Sequence, residues 1–332
     1  MSIIENYRQH LLERYSNYPR GRYVSLLVVR QIESEAIFRT EGSGEPLSKE
    51  FVYAGQQPAA GEQAIQRVVM SKRKQTAVER RTGREVLRRL DLLLKAEKGN
   101  AVCSLNTNNP CGLCIDCMLY GYAAGGGGAQ RSRVITDDAF SLHPAETVTA
   151  LRQFNALFDN STMRNPDTGQ PSTSIGTDEY VKPGAHFLDI ETLKDVTPDE
   201  LRYVLGNLFR SARYGAISSR IGKVKNILAG VIFSDCELFS NLELTQAVYD
   251  RLREDGGEPL FPAREHAVVA AVRQSAEALA SRVVGKLTPL SEEETGALRE
   301  EIATLYADEE ALAGMLRRLT DSYRTAAPKD TP

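Results

Sequence analysis

The chain of 332 residues is long enough for two domains or for one elaborated domain with a large core. Hydrophobic residues at 42% and charged residues at 26% exclude bulk disorder. Residues 1–17 mix Glu5, Arg8, Glu13 and Arg14 with apolar side chains, so they lack a signal-peptide core, and no later apolar run approaches bilayer length.

The formal net charge of -3 conceals an asymmetry. From Arg67 to Arg89, nine basic residues face only Glu79 and Glu85, whereas from Thr288 to Leu312 eight acidic residues face only Arg299. Such a chain can bind a polyanion through one face and remain soluble or self-associate through another.

In chain order, Ile3, Ile4, Tyr7, Leu11 and Leu12 space an amphipathic helix over residues 3–15. Residues 22–32 (RYVSLLVVRQI) read as a buried first strand. The polar stretch 33–83, with Ser71 to Gln75 inside it, reads as an excursion from the core. The spacing of Val86, Leu87, Leu90, Leu93 and Leu94 predicts a helix over 84–95, with Arg84, Arg88 and Arg89 on its other side.

Four of the five cysteines then fall at Cys103, Cys111, Cys114 and Cys117. Four soft ligands in one turn-rich loop suit a closed structural metal site, and zinc is the first reading. An iron–sulfur cluster is the second, although ferredoxin-type runs continue with a further Cys and Pro where this chain has Met118-Leu119-Tyr120. A redox C-x-x-C pair is disfavoured because two copies overlap. Clustered, metal-type cysteines with an unpaired Cys236 suit a reducing cytoplasm.

The run Gly125, Gly126, Gly127, Gly128 leads through Arg131 into a short strand over 131–136. It can present bare N–H groups to a phosphate or form a plain surface loop, and it lacks the spacing of a nucleotide fingerprint. Residues 145–158 fit a helix (Val148, Leu151, Phe154, Phe158) and a strand (Ala150, Arg152, Phe154, Ala156, Phe158) alike. The polar stretch 159–184 contains a strong turn at 165–171 and is long enough to imply a functional role or ordering by a partner.

Residues 185–193 alternate as a strand, and Thr197-Pro-Asp-Glu200 starts a helix with cap, N1 proline and capping-box glutamate. Then Arg213, Tyr214, Arg220, Lys223 and Lys225 interleave with small residues ahead of a strand over 225–233, a composition suited to a nucleic-acid backbone or to a solvated loop. Beyond residue 240 the stripes Val268, Val272, Ala276, Leu279, Val283 and Leu312, Leu316, Leu319, Tyr323 read as helical packing faces. His10, His143, His186 and His266 are scattered and read as structural, and Cys236 as a small buried residue.

The order strand, helix, strand, strand, helix, strand is that of a ferredoxin-like or RNA-recognition-motif core. The segments CGLCIDCMLYGYAAG, RSRVITDDAFSL, GTDEYVKPGAHFLDIETL and RYGAISSRIGKVKN, in that order over residues 20–240, resemble the backbone subunit of the type I-D CRISPR effector complex, the Csc-two branch of the Cas-seven superfamily.

That resemblance implies an α+β chain with an RNA-recognition-motif palm over 20–240, a zinc-containing finger insertion over 34–130, a thumb-like hairpin insertion over 145–184 and a helical region over 241–332. It implies Cys103, Cys111, Cys114 and Cys117 as structural zinc ligands, and Gly125–Arg131 with Arg213–Lys225 as a guide-facing surface. Lys72, Arg73 and Lys74 join that surface on their charge. The implied partners are CRISPR guide RNA, target DNA and target RNA, copies of the chain itself arranged head to tail, and other effector subunits, with no membrane. The expected role is non-catalytic. The competing expectation is a metal-dependent ribonuclease using Asp137 or Asp138 on the same core.

Overall fold

The computed structural model describes residues 2–38, 47–57, 63–125, 128–215, 222–253 and 257–326. Its centre is β1 (Tyr23–Ile32), buried along nearly its whole length. β1 pairs antiparallel with β10 (His186–Lys194) on one side, with Leu27 opposite Ile190, and with β12 (Gly222–Ser234) on the other, where the register shifts between Leu27 and Val28.

The full order runs β11 (Arg213–Tyr214), β12, β1, β10, β7 (Ala139–Ser141), β3 (Ala64–Met70), β2 (Ser48–Tyr53). β6 (Val134–Ile135) also pairs with β10, and β13 (Leu287–Pro289) with β12. Of the strand expected over 131–136 only the two-residue β6 forms, and β7 follows it beyond that range on the same neighbour.

The β-branched and leucine-rich sequence of β1 is buried on both faces. Val24, Leu26 and Val28 join a core with α2 (Lys72–Arg89) and α5 (Pro198–Arg210), which also takes in α8 (Glu292–Ala307) and α9 (Glu309–Ala326). Leu27 and Val29 face a second core with α6 (Asn241–Leu252) and α7 (Glu265–Ala280). The C-terminal stripes are therefore core, Val268, Val272, Ala276 and Leu279 in one and Leu312, Leu316, Leu319 and Tyr323 in the other, except Val283, which lies beyond the end of α7 and in neither.

α5 begins as its sequence dictates. The Thr197 hydroxyl accepts from the Glu200 amide while the Glu200 carboxylate accepts from the Thr197 amide, with Pro198 at N1. α2 differs from its expectation, beginning at Lys72 and ending by Leu90, so the Ser71–Gln75 segment is its first turn and no excursion. Its capping acceptor comes from far along the chain: Asp138 Oδ1 accepts from the Lys72 amide at 2.8 Å. Gly83 allows α2 to approach α5, since a Cβ there would lie 2.3 Å from Tyr203 Oη. After α2, Asp91 turns the chain with φ 54°, and Leu92 and Leu93 are buried outside any helix.

Two further segments depart from their periodicity. Residues 3–15 hold only a helical turn, α1 (Ile3–Asn6), and a 3-10 turn (Arg8–His10), because Glu301 binds Ser2 Oγ and the Ile3 amide while Tyr7 Oη donates to Glu294. Residues 145–158 use both periods in succession, as α4 (Ala145–Val148) and then β8 (Thr149–Asn155). β8 pairs with β9 (Ile175–Val181) in a separate hairpin. In its long connection, Asn165 Oδ1 accepts from the amides of Asp167 and Thr168 ahead of Gly169 at φ 65°.

Candidate metal centre and nucleic-acid interface

Cys103 is held by its amide donating to Leu94 O, and Cys111 is followed by Gly112 at φ 69°. Cys114 precedes and Cys117 lies within α3 (Ile115–Tyr120). All four ligand atoms lie within 4.8 Å of one another. The Cys103–Cys117 and Cys111–Cys117 sulfur separations are 3.7 and 3.9 Å. Four sulfurs about 2.3 Å from one tetrahedral ion stand about 3.8 Å apart, so the donors could hold a single metal ion.

Two backbone amides support the sulfurs, Cys111 N donating to Cys103 Sγ at 3.4 Å and Cys114 N to Cys111 Sγ at 3.3 Å. Hydrogen bonds among the four sulfurs pull the Cys103 thiol down and push Cys114 and Cys117 up, as expected of thiols crowded into one ligand set.

The loop is tied to α2 through Asp116, which is 0% exposed. Arg80 Nε and Nη2 donate to its carboxylate at 2.7 and 2.9 Å, and Arg84 Nη1 at 2.6 Å. Arg84 also donates to Cys103 O. Burial works against the charge on both guanidiniums, and Asp116 outweighs it, raising both above the usual arginine value. Between α2 and the cysteine loop lies a cleft of about 500 Å³, lined among others by Arg73, Lys74, Arg80, Arg81 and Gly215.

On the sheet side of α2, Arg30 is fully buried and donates to Asp189 at 2.7 Å, Glu79 at 2.9 Å, and Tyr214 Oη and Asn226 Oδ1 at 3.0 Å each. Burial raises the Glu79 and Glu191 carboxyls above the usual range, Glu191 well above it. This cluster pins α2 to β1, β10, β11 and β12.

The family model described as Csc2 CRISPR matches residues 10–316. The chain belongs to the Csc2 CRISPR family. The crystal structure of Thermofilum pendens Csc2 is similar over 100% of both chains, at 17% identity and a TM-score of 0.63, which establishes a shared fold. A chain of a CRISPR RNA-guided surveillance complex in a pre-nicking state covers 85% of this chain and 99% of its own, at 9% identity and a TM-score of 0.47. No curated protein matches.

In this Csc2-family chain the residues expected to face RNA divide into groups. Lys72, Arg73 and Lys74 form the first turn of α2, with Lys72 and Arg73 exposed and Arg73 and Lys74 at the cleft. Gly125 and Gly128 are exposed in the turn joining β4 (Tyr122–Ala123) to β5 (Ala129–Gln130), where Gly125 N donates to Asn108 Oδ1, and Arg131 is exposed just beyond. Gly126, Gly127 and Arg220 lie outside the described residues.

Arg213 is exposed and lies two residues before the cleft's Gly215. Tyr214, expected at the surface, is 0% exposed because its hydroxyl completes the Arg30 cluster, so it has no face to offer a base. Lys223 and Lys225 stand on β12 and are already paired, with Glu33 at 3.1 Å and Glu265 at 2.6 Å.

Several side chains escape the sequence reading. Arg84, expected opposite the apolar side of its helix, is buried against Asp116, and Arg67 is buried with its guanidinium on the carbonyls of Ser141, Leu142 and Ala54. The i, i+4 spacing of Arg80 and Arg84 puts both on one face of a helix that starts at residue 72. Asp116, between two cysteines, carried a signal in its position alone.

Asp137 and Asp138 are exposed, Asp138 as the cap of α2, and the four cysteines form the metal-capable group found among the described residues. His143 and His186 are buried, with the His186 pKa lowered by burial to about 4. His10 stacks on Phe233 and His266 is exposed. Cys236 is half-buried, less enclosed than expected, at the loop after β12. No described helix is long and apolar enough to cross a membrane.

Proposed function

We propose that the chain is a non-catalytic, guide-RNA-binding backbone subunit of a CRISPR surveillance complex, polymerising head to tail along the guide and supporting its pairing with a DNA or RNA target. The observation that carries this reading is the basic cleft between α2 and the cysteine loop, in a chain matching the Csc2 family over residues 10–316. A subunit that leaves sequence reading to base pairing needs only backbone contacts, which exposed Arg and Lys side chains supply.

The order β12, β1, β10, β6/β7 with α2 and α5 on one face supports an RNA-recognition-motif palm over 20–240. The finger insertion over 34–130 carries the cleft, the β8–β9 hairpin is the thumb-like part of 145–184, and 241–332 is the helical region. In the cysteine site a zinc ion held by Cys103, Cys111, Cys114 and Cys117 would be structural, holding the loop in shape and leaving no open position for chemistry. The cytoplasm, where guide RNA is met, is the corresponding compartment.

A gel-shift series on single-stranded RNA at increasing salt, with metal analysis of the same sample, tests the reading. Stepwise, length-dependent binding that weakens steeply with salt, and about one zinc per chain, is the expected result. Absence of binding at low salt overturns it. Regularly spaced cuts in matched RNA with magnesium, lost on Asp137→Ala or Asp138→Ala, would replace it with the ribonuclease reading.

A further inference from the structure

The cleft wall rests on one carboxylate. Asp116 lies between Cys114 and Cys117, wholly buried, and its two oxygens take the Nε–Nη2 edge of Arg80 and Nη1 of Arg84. The two arginines are fixed to different degrees. The Arg84 side chain is 4% exposed and spends its other end on Cys103 O, so it is a tie between helix and loop. The Arg80 side chain is 22% exposed at the cleft. Its Nη2 also reaches Gly121 O at 2.8 Å, and its Nη1 has no protein partner among the described residues.

A side-on carboxylate fork fixes the plane of a guanidinium and leaves the opposite corner to donate. An arginine ordered beforehand loses little further freedom on gripping a ligand, whereas a free surface arginine must be immobilised. The remaining cleft chemistry favours an anion, since Arg73, Lys74 and Arg81 share the lining while the charge of Asp116 already faces two guanidiniums.

We propose that Asp116 is a positioning residue that presents the free corner of Arg80 to a phosphodiester of bound single-stranded RNA, so that the metal loop and this phosphate subsite form one rigid unit. The inference rests on the guide-RNA reading and deepens it. Asp116 touches no ligand itself, and its effect on RNA runs through Arg80.

The test measures binding of the full chain to a labelled single-stranded RNA across a salt series, with metal stoichiometry and thermal midpoint on the same preparations. It compares wild type, Asp116→Asn, Arg80→Gln and the double variant. Arg80→Gln should weaken binding by about tenfold or less and flatten the salt slope by about 0.7, the share of one phosphate on a single strand. Asp116→Asn should keep its metal, weaken binding in the same direction, and add little in the Arg80→Gln background, as expected when one residue acts through the other.

Fully multiplicative effects of the two substitutions, or an Asp116→Asn chain with wild-type affinity and slope, overturn the proposal. Where Asp116→Asn loses metal or melts, Arg80→Gln decides alone: a folded, metal-loaded Arg80→Gln chain with unchanged affinity and slope also overturns it. Wild type that binds no RNA removes the guide-RNA reading itself, a failure seen before any variant is compared.

Discussion

Arg30 and Arg80 meet carboxylates on opposite sides of α2, and their surroundings give them different work. Arg30 is 0% exposed and uses Nε, Nη1 and Nη2 on Asp189, Tyr214, Asn226 and Glu79. Arg80 has one carboxylate, one carbonyl, and an Nη1 without a protein partner among the described residues, in a side chain that lines the cleft. A guanidinium with every donor spent inside the protein is a structural rivet. One with a donor left over at a basic cleft is available to a ligand, and charge counted along the sequence cannot tell the two apart.

The comparison is broken most severely by disrupting the metal-capable cysteine cluster. Cys114→Ser, or chelation, should abolish metal binding and hydrogen-exchange protection around residues 95–123, because coupled site energies are on the order of 10 kcal/mol. Protection in β1 and β10 should persist, and loss there as well would show that the two regions are one cooperative unit.

Arg30→Ala comes next. It leaves Glu79, Asp189 and Glu191 buried without their cation and should cost about 3–5 kcal/mol in a denaturant titration. Arg80→Ala, partly exposed, should cost far less stability than Arg30→Ala. Equal costs would erase the distinction.

The Arg30 cluster should also carry a pH signature of its own. Burial raises the folded-state pKa of Glu191 well above 4.5, so the folded form holds a proton that the unfolded chain releases. Its stabilising contribution is full below the unfolded value and declines as pH rises through the folded one. Glu191→Gln should therefore make the chain more stable than wild type at alkaline pH and flatten the dependence of the denaturation midpoint on pH. A wild-type midpoint that rises with pH in this range contradicts the assignment.

The smallest effect is expected at Lys225, already paired with Glu265 at 2.6 Å. Lys225→Met should change RNA affinity less than Arg80→Gln does, and a larger loss would place the guide on β12 instead of the cleft.

What could be read from the chain was local. β1 announced itself through its apolar run, α5 through a capping box closed within four residues, and the metal-capable cysteine cluster through spacing. What could not be read was settled at long range. The cap of α2 comes from Asp138, 66 positions away, so Lys72-Arg73-Lys74 read as part of an excursion from the core. Tyr214 is withdrawn by Arg30, 184 positions away, and Arg67 by carbonyls of Ser141 and Leu142. Each is a polar side chain whose partner is nowhere near it in sequence, and periodicity carries no trace of such pairs.

The alternation of β1 between two cores has one more consequence. With Val24, Leu26 and Val28 sealed under α2 and α5, and Leu27 and Val29 under α6 and α7, the middle of the sheet is a filling between helical layers, not a tabletop. A base has no open β1 surface on which to lie flat. Any strand that this chain grips must be gripped along the rim, where helix ends, turns and the cysteine loop come to the surface.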